Sequence, residues 1–150
     1  MSGRVVAFNH FSATVSDLGE ALKFWSGGLG LEVLGRGVVQ YEHLDAIVGL
    51  EHTKIEWAEL KIDGGGIVEL FVYHAPIGTA LAGWVNDPGK THLCLEVSDL
   101  DELVAHLKGL GFEGVSRQPV EIPVGDWTGY RSIYVPGPDG VIVELVERRG

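Results

Sequence analysis

Four side chains in this sequence combine the residue types and the repetition that metal chemistry needs. His10 stands in HFSATVSDL and His92 in HLCLEVSDL, while Glu69 and Glu144 each stand in the same tetrapeptide, Ile-Val-Glu-Leu. Taken singly, each has an ordinary explanation. A His at a strand start is most often a surface or hydrogen-bonded residue, and a Glu between Val and Leu is most often the solvated side of a half-exposed strand. Recurrence in pairs changes the weighing. Two equivalent His plus Glu pairs, brought together by pseudo-twofold symmetry, make an N2O2 set that suits borderline divalent ions such as Zn, Ni, Co, Mn or Fe(II). A carboxylate buried unpaired in an apolar strand is costly, so Glu69 and Glu144 must face water or a compensating charge.

The pairs belong to a longer repeat. His10 and Val15-Ser16-Asp17-Leu18 recur as His92 and Val97-Ser98-Asp99-Leu100, an offset of 82. Leu29-Gly30-Leu31-Glu32 is answered by Leu110-Gly111-Phe112-Glu113 at 81, and Ile67-Val68-Glu69-Leu70 by Ile142-Val143-Glu144-Leu145 at 75. The landmarks keep their order, and the shrinking offset places extra residues between about 33 and 66.

Each half therefore has the same grammar. A strand (Val5–Val15, Thr91–Val97) runs into Ser-Asp-Leu, where Ser16 or Asp17, and Ser98 or Asp99, are expected to cap a helix. The helices Leu18–Trp25 and Leu100–Leu110 carry apolar residues on one face of a 3.6-residue period, and Gly27-Gly28 and Gly109 are expected to stop them. Strands are expected at about 32–41, 55–62 and 67–73, then at 113–117, 130–135 and 141–147. The fold class is α+β: two βαβββ modules in tandem, about 4–76 and 91–148, forming one domain with a cupped, mostly antiparallel sheet around a metal site. A connector of about 77–90 holds the turn Asn86-Asp87-Pro88-Gly89, and Gly64-Gly65-Gly66 reads as a hairpin turn. Alternation puts His10, Ser12 and Thr14 on one face of the first strand, and His92, Cys94 and Glu96 on one face of its copy.

Composition bounds the partners. The 150 residues carry a formal charge of −10, which repels phosphate backbones and anionic membranes, so neither nucleic acid nor a membrane is expected as a partner. One Cys excludes an intrachain disulfide and fits a reducing compartment. The start, Met1-Ser2-Gly3-Arg4, has none of the apolar run of a signal peptide, and no apolar stretch approaches the roughly 20 residues that span a bilayer. A cytoplasmic globular protein that acts on a small molecule is the expectation.

The segments NHFSATVSDLGEALKFW, VELF, THLCLEVSDLDELVAHLKGLGF and PDGVIVEL resemble the vicinal oxygen chelate superfamily, the group of glyoxalase I, methylmalonyl-CoA epimerase, extradiol dioxygenases and bleomycin-binding proteins. The resemblance covers nearly the whole chain and is weakest over residues 38–60. It implies paired βαβββ modules curled around one divalent metal ion, with His10, Glu69, His92 and Glu144 as the ligands. It also implies a homodimer. Four protein ligands leave an octahedral ion two open positions, enough to chelate adjacent substrate oxygens and stabilise an enolate or enediolate. That favours a glyoxalase-like lyase or an epimerase-like isomerase, with Glu144 or Glu69 loosening from the metal to act as base. An extradiol ring-cleaving dioxygenase and a non-catalytic drug-sequestering protein are the alternatives.

Other residues are candidates for the substrate pocket. Phe71 and Tyr73 follow Glu69 on its face, and Cys94 shares the face of His92, although a small core-filling thiol is its ordinary role. Trp127 lies in the Pro- and Gly-punctuated stretch 114–129, whose composition suits a flap. Glu51 is the nearest match to an additional glutamate of epimerase relatives, and it shares its segment with His43 and His52. His74 and His106 are expected to be structural or exposed.

Overall fold

The computed structural model describes residues 3–149, so the Met1-Ser2 part of the start discussed above lies outside the described residues. The elements in chain order are β1 (His10–Thr14), α1 (Leu18–Leu22) continued by a π-helical turn (Lys23–Gly28), β2 (Glu32–Val39), α2 (Glu42–Val48), β3 (Lys54–Lys61) and β4 (Ile67–Ala75). There follow β5 (His92–Glu96), α3 (Leu100–Gly109), β6 (Val120–Glu121), β7 (Tyr130–Pro136), a short 3-10 turn (Pro138–Gly140) and β8 (Ile142–Arg148). Two four-stranded sheets result, ordered β1-β4-β3-β2 and β5-β8-β7-β6. In each the first strand runs parallel to the last, and the remaining pairs are antiparallel. The chain is thus an α+β protein of two similar modules. Among the described residues no helix is long and apolar enough to cross a membrane.

The copies agree in register as well as in order. His10 pairs with Ile67 and Ser12 with Glu69; His92 pairs with Ile142 and Cys94 with Glu144. The ladders continue alike past the strand ends, with the Val15 amide donating to the Phe71 carbonyl and the Val97 amide to the Val146 carbonyl, both at 2.8 Å. Alternation then sends Val68 and Leu70, and Val143 and Leu145, to fully buried faces, which leaves Glu69 and Glu144 on the opposite ones.

Contacts within the chain group into two compact units. One holds the residues up to Leu18 together with Leu31–Gly78; the other holds Gly19–Gly30 together with the chain from Thr79 onward. Inside the first, Leu60 and Ala58 of β3 join Val68 and Leu70 as a solvent-free layer. Inside the second, Leu100 and Leu107 of α3 are fully buried, as are Phe24 and Trp25. Phe24 meets Phe112 edge to face at 4.9 Å, and the His106 ring N–H donates to the Gly27 carbonyl at 2.8 Å, the structural role expected of that histidine.

Several boundaries depart from the sequence expectation, each for a physical reason. Val5–Phe8 is not part of β1, because β4 begins at Ile67 opposite His10 and offers nothing earlier to pair with. Val5, Val6 and Phe8 are left exposed. The expected strand at 113–117 is absent. There the Val115 amide reaches the Tyr134 carbonyl at 2.8 Å, while the Ser116 hydroxyl turns back to the Gln118 carbonyl, and the paired strand is instead Val120–Glu121. Helix α2 was not anticipated, since it buries no residue and leaves Ile47 exposed, so no apolar stripe marks it. The helix stops shift to Gly30 and Gly111, whose positive φ of 75° and 94° supplies the left-handed turn. Finally, Asp99 does not cap α3 with its side chain; the Leu100 amide donates to Glu147 Oε1 at 2.9 Å instead.

Candidate functional site

In the first unit, β1 and β4 bring His10 Nε2 to 3.2 Å from Glu69 Oε2. In the second, β5 and β8 bring His92 Nε2 to 3.3 Å from Glu144 Oε2. The histidines are 42% and 44% exposed and the glutamates 19% and 20%, so the copies match in access as well as in distance. Two ligands that each stand about 2.1 Å from one divalent ion are themselves about 3 Å apart, so each pair has the spacing and the donor types of two neighbouring metal ligands. Among the described residues no group of three or more His, Cys, Asp and Glu side chains is gathered closely enough to hold an ion. Each unit by itself supplies a pair.

Around the pairs the faces differ. Glu59 is the cross-strand partner of Glu69, and Tyr134 that of Glu144. Beside Glu59, Trp57 lies against Gly35 and Gly37 of β2, where an added Cβ would come within 3.4 and 3.3 Å of its indole. Phe71 pairs with Trp57, and Tyr73 with Ile55, so both predicted aromatics stand on the Glu69 face. In the second unit the Ser132 hydroxyl donates to Glu144 Oε1 at 2.7 Å, and the Tyr134 ring lies 5.1 Å from the His92 ring. Cys94 is exposed on this face rather than filling a core. Desolvation, and then the Glu144 carboxylate to which it hydrogen-bonds, push its thiol up to about 11. It is therefore a neutral donor and not a thiolate nucleophile at neutral pH. The Tyr134 phenol is also raised, by desolvation first and then by Glu144 and Cys94.

The other candidates have contacts of their own. Glu51 sits in an exposed bend after α2. His52 next to it has φ of 58° and donates its amide to Asp45, and His43 stacks on Tyr41 at 5.3 Å. Trp127 is half exposed and meets Tyr130 edge-on at 5.1 Å. The stretch that carries it is tied to β7 through β6 and through the Ile122 amide on the Tyr130 carbonyl, which is more structure than a free flap would have. His74 pairs with Glu56 at 3.0 Å on the face opposite Glu69. A cleft lined by Asp101, Gln118, Arg131 and Arg149 includes neither Glu144 nor His92.

Glu59, Trp57, Ser132 and Tyr134 were not singled out from the sequence. A signal for them existed: each β-hairpin spans the same interval, Lys61 pairing with Ile67 and Pro136 with Ile142. Counting back ten residues from either glutamate therefore reaches its cross-strand partner, Glu59 or Tyr134.

Comparison with known proteins agrees with this architecture. The family model of the glyoxalase/bleomycin resistance protein/dioxygenase superfamily matches residues 7–145. The chain is 30% identical to a 2-epi-5-epi-valiolone epimerase from Actinomyces sp., over 97% of this chain and 84% of that protein. Among solved structures, a glyoxalase family protein from Bacillus cereus superposes with a TM-score of 0.85 at 27% identity, covering 99% of this chain and 98% of the other. A fosfomycin resistance protein from Listeria monocytogenes, solved with Mn(II) and sulfate, shares the fold with a TM-score of 0.63 at 16% identity, covering 97% and 95%.

Proposed function

Since this chain belongs to the glyoxalase/bleomycin resistance protein/dioxygenase superfamily, we propose that it is a divalent-metal-dependent isomerase of the epimerase kind. It would remove and return a proton beside a carbonyl of a small oxygenated substrate. The observation that carries the reading is the duplicated pair: His10 with Glu69 at 3.2 Å and His92 with Glu144 at 3.3 Å. Each pair supplies one imidazole and one carboxylate, the donor types that a borderline divalent ion takes. The similarity to a named epimerase favours isomerase over lyase chemistry.

When bound, the ion supplies Lewis acidity to the substrate oxygens next to the carbon that loses its proton. The rest falls to the protein. The histidines have no acidic role while they serve as neutral ligands, so the proton is carried by a carboxylate, Glu69 or Glu144. The C–H bond breaks, its electron pair delocalises toward the carbonyl oxygen, and a solvent-exchangeable proton delivered by a second acid to the opposite side of the carbon inverts the centre, while the first carboxylate gives up its proton to solvent. Phe71, Tyr73 and Trp57 give the Glu69 face an apolar wall for the substrate ring or chain, which limits water at the reacting carbon.

Two measurements test the proposal together. Metal analysis of the purified protein is expected to find close to one divalent ion per chain, sharply reduced in His10→Ala and His92→Ala. In D2O, the epimerase relative's named substrate, 2-epi-5-epi-valiolone, serves as a probe and is expected to take up deuterium at the carbon that inverts. A metal-free protein that exchanges no proton would refute the reading, and oxygen uptake with a catechol would replace it with ring cleavage.

A further inference from the structure

Two glycines of β2 have no backbone reason to be glycine. Neither Gly35 nor Gly37 has a positive φ, and glycine inside a strand weakens it. What they leave is space. Trp57 of β3 pairs with Gly37, and its indole leans over β2, so that Cβ atoms added at Gly35 and Gly37 would come within 3.4 and 3.3 Å of it. The atoms met follow one another along the indole, from Nε1, Cε2 and Cζ2 at Gly37 to Cη2 and Cζ3 at Gly35. The side chain thus lies on the neighbouring strand, half-buried, which leaves a side of the ring open to a ligand. Among the described residues no aromatic ring stacks on it, and its Nε1–H has no hydrogen-bond partner. Glu59, paired with Gly35 on one side and Glu69 on the other, has no ion pair or hydrogen bond of its side chain among the described residues. In the second module the place of Trp57 is held by Ser132, so only the first has this indole.

We propose that Trp57 is the platform of a binding site for an uncharged cyclic polyol, a saturated ring bearing hydroxyls, which stacks on the indole through its C–H face. This narrows the substrate class of the reaction proposed above and rests on that reading of the Glu69 face. An aromatic face carries negative potential and attracts polarised C–H groups, and a ring with equatorial hydroxyls presents such groups together on one side. The hydroxyls at its rim meet complementary partners. The Trp57 N–H donates to a hydroxyl oxygen, and the Glu59 carboxylate accepts a hydroxyl proton in a charge-assisted bond. An open-chain polyol has no flat C–H side to offer. Glu59 and Glu69, directly across from each other, repel a phosphate or carboxylate on the ring, so the ligand that fits is neutral. Trp57 is thus a specificity-determining residue with no part in proton transfer.

The probe is myo-inositol, a ring polyol without a carbonyl, so that binding is read apart from turnover. Sorbitol, an open chain with as many hydroxyls, and catechol, a flat aromatic ring, are the comparisons. In the whole protein the Trp57 indole resonance of a nitrogen-15 spectrum, assigned by its loss in Trp57→Phe, is expected to move with myo-inositol at concentrations where sorbitol leaves it in place. Saturation-transfer measurements on the ligand then compare variants, with circular dichroism to check folding. Trp57→Ala is expected to weaken myo-inositol binding about 10-fold, and Trp57→Phe to weaken it less. Gly37→Val keeps the indole but fills the space beneath it, so a loss like that of Trp57→Ala is expected; it decides alone should Trp57→Ala fail to fold. A Trp57 resonance that myo-inositol does not move overturns the proposal. So does binding of sorbitol or catechol as tight as that of myo-inositol, or wild-type affinity in the folded variants. Deuterium uptake by 2-epi-5-epi-valiolone without myo-inositol binding at Trp57 removes only the platform. Binding of myo-inositol at Trp57 in a protein that holds no metal and exchanges no proton removes the epimerase reading and leaves the ring site standing.

Discussion

Set side by side, the two modules share a backbone register and differ in almost everything that faces it. Glu56 and Val72 are cross-strand partners in the first, and Arg131 and Glu147 hold the same places in the second. Val72 is buried, and Glu56 reaches His74 at 3.0 Å. In the second module Arg131 bridges Glu147 and, at 2.8 Å, Asp101 of α3, while Glu147 also accepts the first amide of that helix. The same duplication thus ends once in a buried valine beside a local Glu56–His74 pair and once in a charge network that docks a helix. The His plus Glu pairs changed least, at 3.2 and 3.3 Å. A duplicated fold tolerates exchange wherever one residue can replace another in packing.

The comparison can be broken most forcefully in the cores. Leu70 and Leu145 are equivalent and fully buried, so Leu70→Ala and Leu145→Ala should each cost about 2–5 kcal/mol in urea denaturation. Because contacts divide the chain into two units, amide hydrogen exchange should rise in β4 for the first variant and in β8 for the second. A rise of equal size in both sheets from either substitution would show one cooperative unit.

A smaller effect tests the charge network. Arg131 first, and then the Leu100 amide, hold the Glu147 carboxyl below its ordinary value of 4.5. A depressed carboxyl stabilises the fold above its unfolded pKa, and that contribution is lost as pH falls through the folded one. Glu147→Gln is therefore expected to lower Tm at neutral pH, and the gap from wild type should close as the pH drops below about 4.5 toward that lowered value. A gap that stays constant with pH would mean that shape, not charge, is what Glu147 contributes. No such pH-dependent gap is expected for Val72→Ala in the first module.

The smallest effect concerns the face of Glu69. Gly37→Ala would place a methyl 3.3 Å from the Trp57 indole nitrogen, a mild overpacking of about 1 kcal/mol. The Trp57 indole resonance in a nitrogen-15 spectrum should shift. An unmoved resonance would place Trp57 elsewhere and would remove the contrast with Ser132.

Much of this was legible in the residues. The repeat located both pairs, and strand alternation put His10 with Ser12, and His92 with Cys94, on single faces, as the registers bear out. Helix α3 was readable because it buries Leu100 and Leu107; α2 was not, because it buries nothing. Cys94 was misjudged as a core filler because alternation gives a face but not its exposure. Ser132 and Tyr134 escaped because neither carries a chemical signature until the register places it beside Glu144 and His92.

The sequence by itself determined the duplication, the α+β grammar, the family and which side chains point together, since these follow from order along the chain and from the period-two geometry of a strand. Only the tertiary structure decided what each glutamate meets. Glu59 or Tyr134 comes opposite through pairing across a hairpin, and Ser132 comes within 2.7 Å through that pairing and its own rotamer. The cap of α3 shows the same division. Ser98 and Asp99 stand next to the helix in sequence, but the group that accepts its first amide is Glu147, carried there by the sheet from 47 residues away. A hydrogen bond depends on distance in space, which local periodicity does not encode.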